Sequence, residues 1–113
     1  KKTVDVPIVL LVNGNTASAS EIMTGCLKDY GKATVVGTKT YGKGIVQSIM
    51  PLPDGSAVKF TIASYYTPNG TNIHKKGIEP DIEVKISDEQ WKKAQTDEKA
   101  DIQLKKAMEI LKK

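Results

Sequence analysis

The sequence lacks arginine and is poor in cysteine, histidine and aromatic residues, and each shortage narrows the range of functions. All 17 basic residues are lysine, so the chain has no planar guanidinium for bidentate contacts to phosphate or guanine. The one Trp, one Phe and four Tyr residues form no stripe of alternating basic and aromatic side chains. The net charge of +4 is spread over the whole chain. We therefore predict a well-solvated lysine surface rather than a nucleic-acid interface.

The single cysteine and the single histidine restrict the kinds of site that the chain can build. Cys26 alone cannot form an internal disulfide, and we predict it to be a small core residue on the apolar face of a helix. A zinc site or a Cys–His dyad would need more ligands, or a better-placed pair, than Cys26 and His74 provide. A Ser–His–Asp triad would require His74 to reach a distant serine, and no motif supports this alternative.

Long apolar runs are also missing from the sequence. None is long enough to cross a bilayer, and no signal peptide is present. The 113 residues correspond to one domain with a modest core, spanning residues 1–113. Residues 1–5 lead almost directly into an apolar strand pattern. We therefore expect the chain to be a piece of a longer protein, so its missing targeting signals say little about localisation.

A βαβ unit is predicted at the start of the chain. The apolar run before residue 13 is rich in branched side chains and predicts a buried parallel strand at residues 8–12. A helix is predicted over residues 19–30, with Gly31 as its stop, and a second strand over residues 33–37. The apolar positions of the predicted helix share one face: Ile22, Met23, Cys26, Leu27 and Tyr30. Because the strands of such a unit are parallel, the loops that follow them emerge at the same sheet edge.

Beyond residue 44 the pattern becomes antiparallel. Residues 45–50 and 57–65 predict two strands joined by an Asp-Gly turn, and residues 82–86 predict a short strand. A capping-box pattern at residues 87–90 predicts a short helix. A last helix places its apolar residues on one face: Leu104, Ala107, Met108 and Leu111. The predicted fold class is therefore α/β, with a βαβ unit, a mixed sheet and C-terminal helices.

Ser18 lies where the first strand ends and the first helix begins. The free amides and the positive dipole end of a helix N-terminus suit a developing oxyanion, so its hydroxyl is either a nucleophile or an N-cap. A lysine serves as general base only when desolvation or nearby positive charge lowers its pKa. Lys43 suits this role because glycines flank it, and Gln47 is a neutral residue able to orient the amine. From the residues alone, a cap, a solvated loop lysine and an exposed strand residue remain the alternative interpretation.

The Gly-Lys-Gly triplet at residues 42–44 also permits interpretation as a phosphate-binding loop. It lacks the Gly-x-x-x-x-Gly-Lys-Ser/Thr spacing, and it precedes a strand rather than a helix. The sequence gives this alternative only weak support.

Several motifs, in order, resemble the carboxy-terminal processing proteases, or tail-specific proteases, which are serine endopeptidases of the S41 type. The motifs are Val-Asn-Gly-Asn-Thr-Ala-Ser-Ala-Ser-Glu (residues 12–21), Val-Gly-Thr-Lys-Thr-Tyr-Gly-Lys-Gly-Ile-Val-Gln (36–47), Leu-Pro-Asp-Gly-Ser (52–56), Tyr-Tyr-Thr-Pro-Asn-Gly (65–70) and Gly-Ile-Glu-Pro-Asp (77–81). The resemblance covers roughly residues 7–84, with a looser match at residues 101–111. Thr16 replaces the first serine of the family's Ser-Ala-Ser-Ala-Ser-Glu pattern, and Asn15 stands where glycine is common.

The resemblance implies a Ser–Lys dyad that needs no metal or cofactor. The middle serine of the family pattern corresponds to Ser18, which would be the nucleophile, and the lysine of Gly-Lys-Gly corresponds to Lys43, the general base. Gln47 would support the lysine, and the backbone N–H of Ala19 would donate to the oxyanion. Ser20 and Glu21 are then interpreted as helix-start residues rather than catalytic ones.

The resemblance further implies a crotonase/ClpP-like core that cleaves extended peptides near the carboxyl ends of proteins. The family's PDZ domain, upstream helical region and first part of the core are absent here, together with a second oxyanion donor. We therefore expect this chain to be nearly inactive alone and to self-associate through exposed apolar surface. The longer protein is expected outside the cytoplasm, attached to a membrane or secreted. The alternative is a non-catalytic peptide-binding or assembly module, in which Ser18 and Lys43 need not touch.

Overall fold

A parallel βαβ unit opens the fold, as predicted. The structure, a computed structural model, describes residues 5–112; the first four residues, on which the expectation of an abrupt start partly rests, lie outside this range. Strand β1 (Val9–Val12), helix α1 (Ala19–Asp29) and strand β2 (Thr34–Gly37) follow in order. The two strands pair in parallel over their full length. Their carboxyl ends, and the loops that follow, therefore lie at one edge of the sheet.

Gly37 brings the carboxyl ends of β1 and β2 into close contact. Its φ is +132°, and a Cβ placed on it would lie 1.9 Å from the carbonyl oxygen of Val12. Only glycine fits this position without a shift of the backbone. Val35 and Val36, which precede Gly37, are fully buried. The core of the molecule thus sits directly beneath the edge where the two loops emerge.

The third parallel strand, β5 (Ile82–Glu83), lies beside β2 and gives the sheet order β1-β2-β5. It is shorter than the predicted strand at residues 82–86. Asp81 anchors its start, since Asp81 Oδ2 accepts the Val35 N–H at 2.8 Å and Oδ1 lies 3.0 Å from Lys28 Nζ. Burial would raise the pKa of Asp81, but the Val35 amide and the Lys28 ammonium outweigh it and hold the pKa below its ordinary value.

Strands β3 (Ile45–Pro51) and β4 (Ala57–Ser64) form an antiparallel hairpin, as predicted, with Gly55 in the turn. The hairpin is a sheet of its own, so parallel and antiparallel pairing occur in two separate sheets. All eight residues of β4 are exposed. Strand register places Met50, Val58 and Phe60 on one face, and the exposed Ile62 follows at the register irregularity; we call these four side chains the hairpin apolar face.

Two C-terminal helices complete the described chain, α2 (Asp88–Ala94) and α3 (Ile102–Leu111), with a single 3₁₀ turn at Glu98–Ala100 between them. The predicted capping box at α2 is present. Helix α3 packs against β1 and β2, and Gln103 and Ala107 are its buried residues. Of its predicted apolar face only Ala107 is buried, and Met108 and Leu111 are exposed. Among residues 5–112 no helix has the length and apolar character needed to cross a membrane.

Helix α1 presents a face to the core that differs from the predicted one. The residues that turn inward are Glu21, Thr24 and Gly25. A Cβ on Gly25 would lie 2.8 Å from Thr67 Cγ2, so the helix approaches its neighbour most closely there. Four residues of the predicted apolar stripe instead line an open concavity together with Ala19, and the fifth, Tyr30, is exposed; the four are Ile22, Met23, Cys26 and Leu27. The prediction of Cys26 as a core residue is therefore wrong, because this thiol is only half-buried at the rim of that concavity.

Candidate active site

Ser18 occupies the turn between β1 and α1 in an unusual backbone conformation. Its φ is 56° and its ψ is −120°, which are the angles of the first central residue of a type II′ turn, a position that favours glycine. The Ser20 N–H closes this turn by donating to the Ala17 carbonyl at 3.2 Å. In residues 5–112 only one other non-glycine residue, Lys75, has a positive φ. Such a conformation costs about 1–3 kcal/mol and is concentrated at functional sites.

Helix α1 begins at a capping box formed by Ser18 and Glu21. The Glu21 N–H donates to the Ser18 carbonyl at 2.9 Å, and the Ser18 N–H donates to Glu21 Oε2 at 3.0 Å. The Ala19 N–H is the first amide of the helix, one of those that a helix cannot bond internally, and no hydrogen bond among residues 5–112 uses it. A hydroxyl and a free amide therefore adjoin each other at the positive end of the α1 dipole. If this hydroxyl attacks a carbonyl carbon, the carbonyl oxygen becomes an oxyanion next to a donor.

Lys43 lies in the loop after β2, which meets the Ser18 loop as the parallel strands predict. The Tyr41 N–H donates to the Thr16 carbonyl at 2.9 Å, which joins the two loops directly. The flanking residues Gly42 and Gly44 are buried, while Lys43 itself is exposed. The prediction that the two loops meet at one sheet edge is confirmed. No hydrogen bond among the described residues joins the Ser18 hydroxyl to the Lys43 ammonium.

The two glycines make close approaches to a second segment, residues 73–78, rather than to Ser18. A Cβ on Gly42 would lie 2.9 Å from the Gly77 nitrogen, and one on Gly44 would lie 2.5 Å from the His74 nitrogen. The Lys75 N–H also donates to the Gly42 carbonyl at 2.8 Å. The close packing of residues 73–78 against the loop therefore explains why glycines flank Lys43.

A buried carboxylate connects the Ser18 turn to the Lys43 loop. Glu21 is 0% exposed, and its Oε2 accepts the N–H of Ser18 at 3.0 Å and the N–H of Lys43 at 2.8 Å. Its Oε1 accepts the Gly42 N–H at 2.6 Å and the Thr40 hydroxyl at 2.5 Å. The amides of Ser18 and Lys43 thus share one acceptor atom, so their nitrogens can be no further apart than the sum of two hydrogen bonds.

The same hydrogen bonds keep Glu21 ionised. Burial would raise the pKa of this carboxyl, but the bonds from Thr40, Lys43, Gly42 and Ser18 outweigh it and hold the pKa below its ordinary value. From the sequence, Glu21 was predicted only to be a helix-start residue. The Ser-x-x-Glu spacing of a capping box could have indicated its bond to Ser18, but no local pattern indicates its partners in the second loop.

This arrangement excludes the phosphate-binding interpretation of residues 42–44. A phosphate loop needs free backbone amides that converge on the ligand. The amides of Gly42 and Lys43 are already bonded to an internal anion, the Glu21 carboxylate. In the described part of the chain, His, Cys, Asp and Glu side chains form no group of three or more that could hold a metal ion.

Among residues 5–112 neither Gln47 nor His74 is hydrogen-bonded to the side chain of Ser18 or Lys43. Gln47 is exposed on β3, next to a register irregularity between Val46 and Gln47, and pairs with Thr61. No hydrogen bond within residues 5–112 joins Gln47 to Lys43. His74 is half-buried beside Gly44, and its Nδ1 is buried without a hydrogen-bond partner among these residues. No hydrogen bond in the described range joins His74 to Ser18, so the structure gives a Ser–His–Asp triad no support.

Comparisons with known proteins agree on one family. The profile described as peptidase family S41 matches residues 1–84. A carboxy-terminal-processing protease of Bartonella bacilliformis is 52% identical over 82 residues, which are 73% of this chain and 19% of that protein. The chain thus spans about a fifth of the length of the curated relatives it matches.

Solved structures extend the likeness to the fold. A photosystem II D1 C-terminal processing protease is similar with a TM-score of 0.66 and 47% identity, over 69% of this chain and 20% of that one. A lipoprotein from Streptococcus agalactiae is similar with a TM-score of 0.70 and 23% identity, over 97% of this chain and 33% of that one. The second likeness concerns the fold alone, and it includes the C-terminal helices.

Proposed function

The chain belongs to peptidase family S41, and we propose that it carries the nucleophile and the general base of a serine endopeptidase. The observation that supports this most directly is the environment of Ser18. Its backbone is held at φ 56°, and its amide shares the Glu21 carboxylate with the amide of Lys43. The bond from the Ser18 N–H to Glu21 is half of a capping box, but a structural N-cap needs neither the positive φ nor a carboxylate shared with a second loop.

In the proposed reaction the Ser18 Oγ attacks the carbonyl carbon of the scissile peptide bond. Lys43, as the neutral amine, takes the hydroxyl proton and later transfers it to the leaving amine. The Ala19 N–H donates to the oxyanion of the tetrahedral intermediate, and Gln47 orients the Lys43 amine. Water then hydrolyses the acyl-enzyme, with Lys43 as the base. No metal or cofactor takes part in this scheme.

The proposed substrates are extended segments near the carboxyl ends of proteins, bound along a strand edge. This rests on the similarity to proteins named carboxy-terminal-processing protease and D1 C-terminal processing protease. We further propose that the full-length protein acts outside the cytoplasm, attached to a membrane or secreted, as the family resemblance implies.

We propose that this chain alone has little activity, because it contains an incomplete site. Lys43 and Gln47 are exposed, whereas a lysine base needs a desolvated environment. Within residues 5–112 the one oxyanion donor beside Ser18 is Ala19, and a missing second donor lowers turnover by about 10²–10³-fold. The remaining part of the full-length protein would supply the donor and cover the lysine.

The second candidate is a non-catalytic peptide-binding or assembly module. It is favoured by the exposure of Lys43 and Gln47, and by the lack of a hydrogen bond between Ser18 and Lys43 in the described chain. On this alternative the fold and its sheet edges would be used, while the two side chains would have no chemical role.

The experiment compares cleavage of an unstructured protein by the full-length protein and by its Ser18→Ala and Lys43→Ala variants across pH. The matched controls are Ser20→Ala, the neighbouring serine, and Lys39→Ala, an exposed lysine of the same loop. We expect both dyad variants to lose activity, both controls to retain it, and the wild-type rate to rise on an alkaline limb. An active Lys43→Ala variant would show that another residue is the general base, and His74 would become the candidate. An inactive wild type under many conditions would favour the binding module.

A further inference from the structure

Glu21 is the one carboxylate that is fully buried in the described part of the chain. A buried charge is tolerated only where it is fully hydrogen-bonded or paired. Here no cation pairs with Glu21 among residues 5–112; each of its oxygens accepts two hydrogen bonds instead. An apolar side chain of the same volume would leave these three backbone amides and one hydroxyl without an acceptor. The distribution of the donors gives the carboxylate a more specific role.

All four donors belong to the two segments that carry the proposed nucleophile and base. They are the backbone amides of Ser18, Gly42 and Lys43, and the fourth donor is the Thr40 hydroxyl. Thr40 in turn accepts the Ile78 N–H at 2.7 Å. The carboxylate therefore lies between the Ser18 turn and the Lys43 loop, and Thr40 connects it to the segment that packs on the flanking glycines.

The bond to Ser18 also acts on the unusual backbone of that residue. If φ of Ser18 relaxed from 56° to a negative value, the peptide plane between Ala17 and Ser18 would turn. The Ser18 N–H would then leave Glu21 Oε2, which it now reaches at 3.0 Å. An ionised acceptor in a buried site makes a strong bond. The carboxylate thus opposes the relaxation that the strain favours.

We propose that Glu21 is a positioning residue for catalysis, which fixes the backbone of Ser18 and of Lys43 relative to each other through one shared oxygen. The inference rests on the proposed Ser–Lys function. Glu21 touches neither substrate nor the reacting atoms in this scheme; it acts through the two residues that do. A displacement of about 1 Å between nucleophile and base is enough to lower turnover about 10²-fold.

The test measures kcat and KM for cleavage of an unstructured protein by the full-length protein and its Glu21→Gln variant. Glutamine keeps the shape of the side chain but turns an NH₂ group toward one pair of donors. We expect kcat to fall about 10²-fold, with KM changed less than about threefold. The control is Glu79→Gln, which removes an exposed carboxylate paired with Lys39, and it should leave kcat unchanged. An unchanged kcat in Glu21→Gln would overturn the proposal.

A double-mutant cycle with Lys43→Ala separates positioning from general support of the fold. If Glu21 acts through the dyad, Glu21→Gln should lower the residual rate of Lys43→Ala less than about threefold. An equally large loss in both backgrounds would contradict the proposal and leave Glu21 as scaffold only. Full activity of Lys43→Ala by itself would refute the Ser–Lys function, a result independent of any Glu21 variant.

Thr40 variants keep the proposal testable where Glu21→Gln fails to fold. Thr40→Val keeps the shape of the side chain but removes one of the four hydrogen bonds to the carboxylate, together with the acceptor of the Ile78 N–H, and Thr40→Ser keeps the hydroxyl and both bonds. We expect kcat of Thr40→Val to fall several-fold at unchanged KM, and Thr40→Ser to restore it. Wild-type kcat in Thr40→Val, or an equal loss in both variants, would count against the proposal.

Discussion

The carboxyl edge of the parallel sheet and the β3–β4 hairpin differ in how closely they pack against the rest of the chain. At the carboxyl edge of the parallel sheet, particular residues make the close contacts. Gly37 packs against Val12, and the Glu21 carboxylate is hydrogen-bonded to the Lys43 loop. In the hairpin, the strands contact each other extensively, but all of β4 is exposed and the apolar face has no cover from residues 5–112. Residues 5–112 therefore hold the site edge together by their own contacts, whereas they leave the apolar face of the hairpin exposed.

The two regions differ in whether their buried or apolar groups find partners within the described chain. The buried polar side chains at the site edge, Glu21 and Thr40, have their hydrogen-bond partners within residues 5–112, so this part should hold its geometry alone. An exposed apolar strand face is an association surface. We therefore expect substitutions at the site edge to change the free energy of unfolding, and substitutions in the hairpin to change association.

The largest expected effect is at Gly37. In Gly37→Ala the new Cβ would collide with the Val12 carbonyl oxygen at a φ that only glycine readily adopts, so we expect a loss of at least about 3 kcal/mol in the free energy of unfolding. Urea unfolding of the chain, followed by circular dichroism, measures it. The matched control is Gly55→Ala in the hairpin turn, where φ is also positive but the surrounding space is open. That substitution should cost only about 1–2 kcal/mol, and equal losses at both sites would contradict the comparison.

A smaller effect is expected at Asp81, which ties β5 to β2. In Asp81→Asn the amide oxygen can still accept the Val35 N–H, but the pair with Lys28 is lost, so we expect about 1 kcal/mol less stability at pH 7. The folded-state pKa of Asp81 is below its ordinary value of 3.8. The unfolded chain therefore binds more protons as the pH falls below about 4. The advantage of wild type should be present above that pH and vanish as the pH falls through the folded-state pKa.

Urea midpoints at several pH values check this prediction, with Glu79→Gln as control. Glu79 pairs with Lys39 on the surface, and an exposed pair contributes well under about 1 kcal/mol. If the difference between wild type and Asp81→Asn persisted unchanged at low pH, the charge of Asp81 would not be its source.

The elements that sequence reasoning predicted well are those whose signals are local. The branched apolar run gave β1, the Gly31 stop ended α1, and the Asp-Gly turn placed the hairpin, each within a few residues of its position in the structure. Gly31 ends the helix at φ 62°, and the N–H groups of Gly31 and Lys32 bond back to the last turn of α1. Such features depend on neighbouring residues, which a single sequence displays.

The orientation of α1 could not be predicted in this way. Its apolar stripe suggested that Met23 and Cys26 face the core, but Glu21 binds amides about twenty residues away and Gly25 packs against Thr67. These long-range contacts turn the polar side inward, and a hydrophobic pattern cannot reveal them. Ser18 and Lys43 were predicted from their positions after the two strands and from the family resemblance, neither of which depends on such contacts. The carboxylate that joins their loops was missed, because a capping box looks the same whether or not its glutamate has distant partners.

The smallest effect on stability, and the sharpest contrast with the site edge, is expected in the hairpin apolar face. The pair Phe60→Thr and Ile62→Thr keeps residues with high strand propensity and removes two exposed apolar side chains. We expect the free energy of unfolding to change by less than about 0.5 kcal/mol. If the wild-type chain self-associates, sedimentation should show the double variant shifted toward monomer. The control is Val36→Thr, an isosteric change at a fully buried position, which should cost about 1–3 kcal/mol without affecting association. A wild-type chain that is strictly monomeric at high concentration would show that the exposed apolar face is not an association surface.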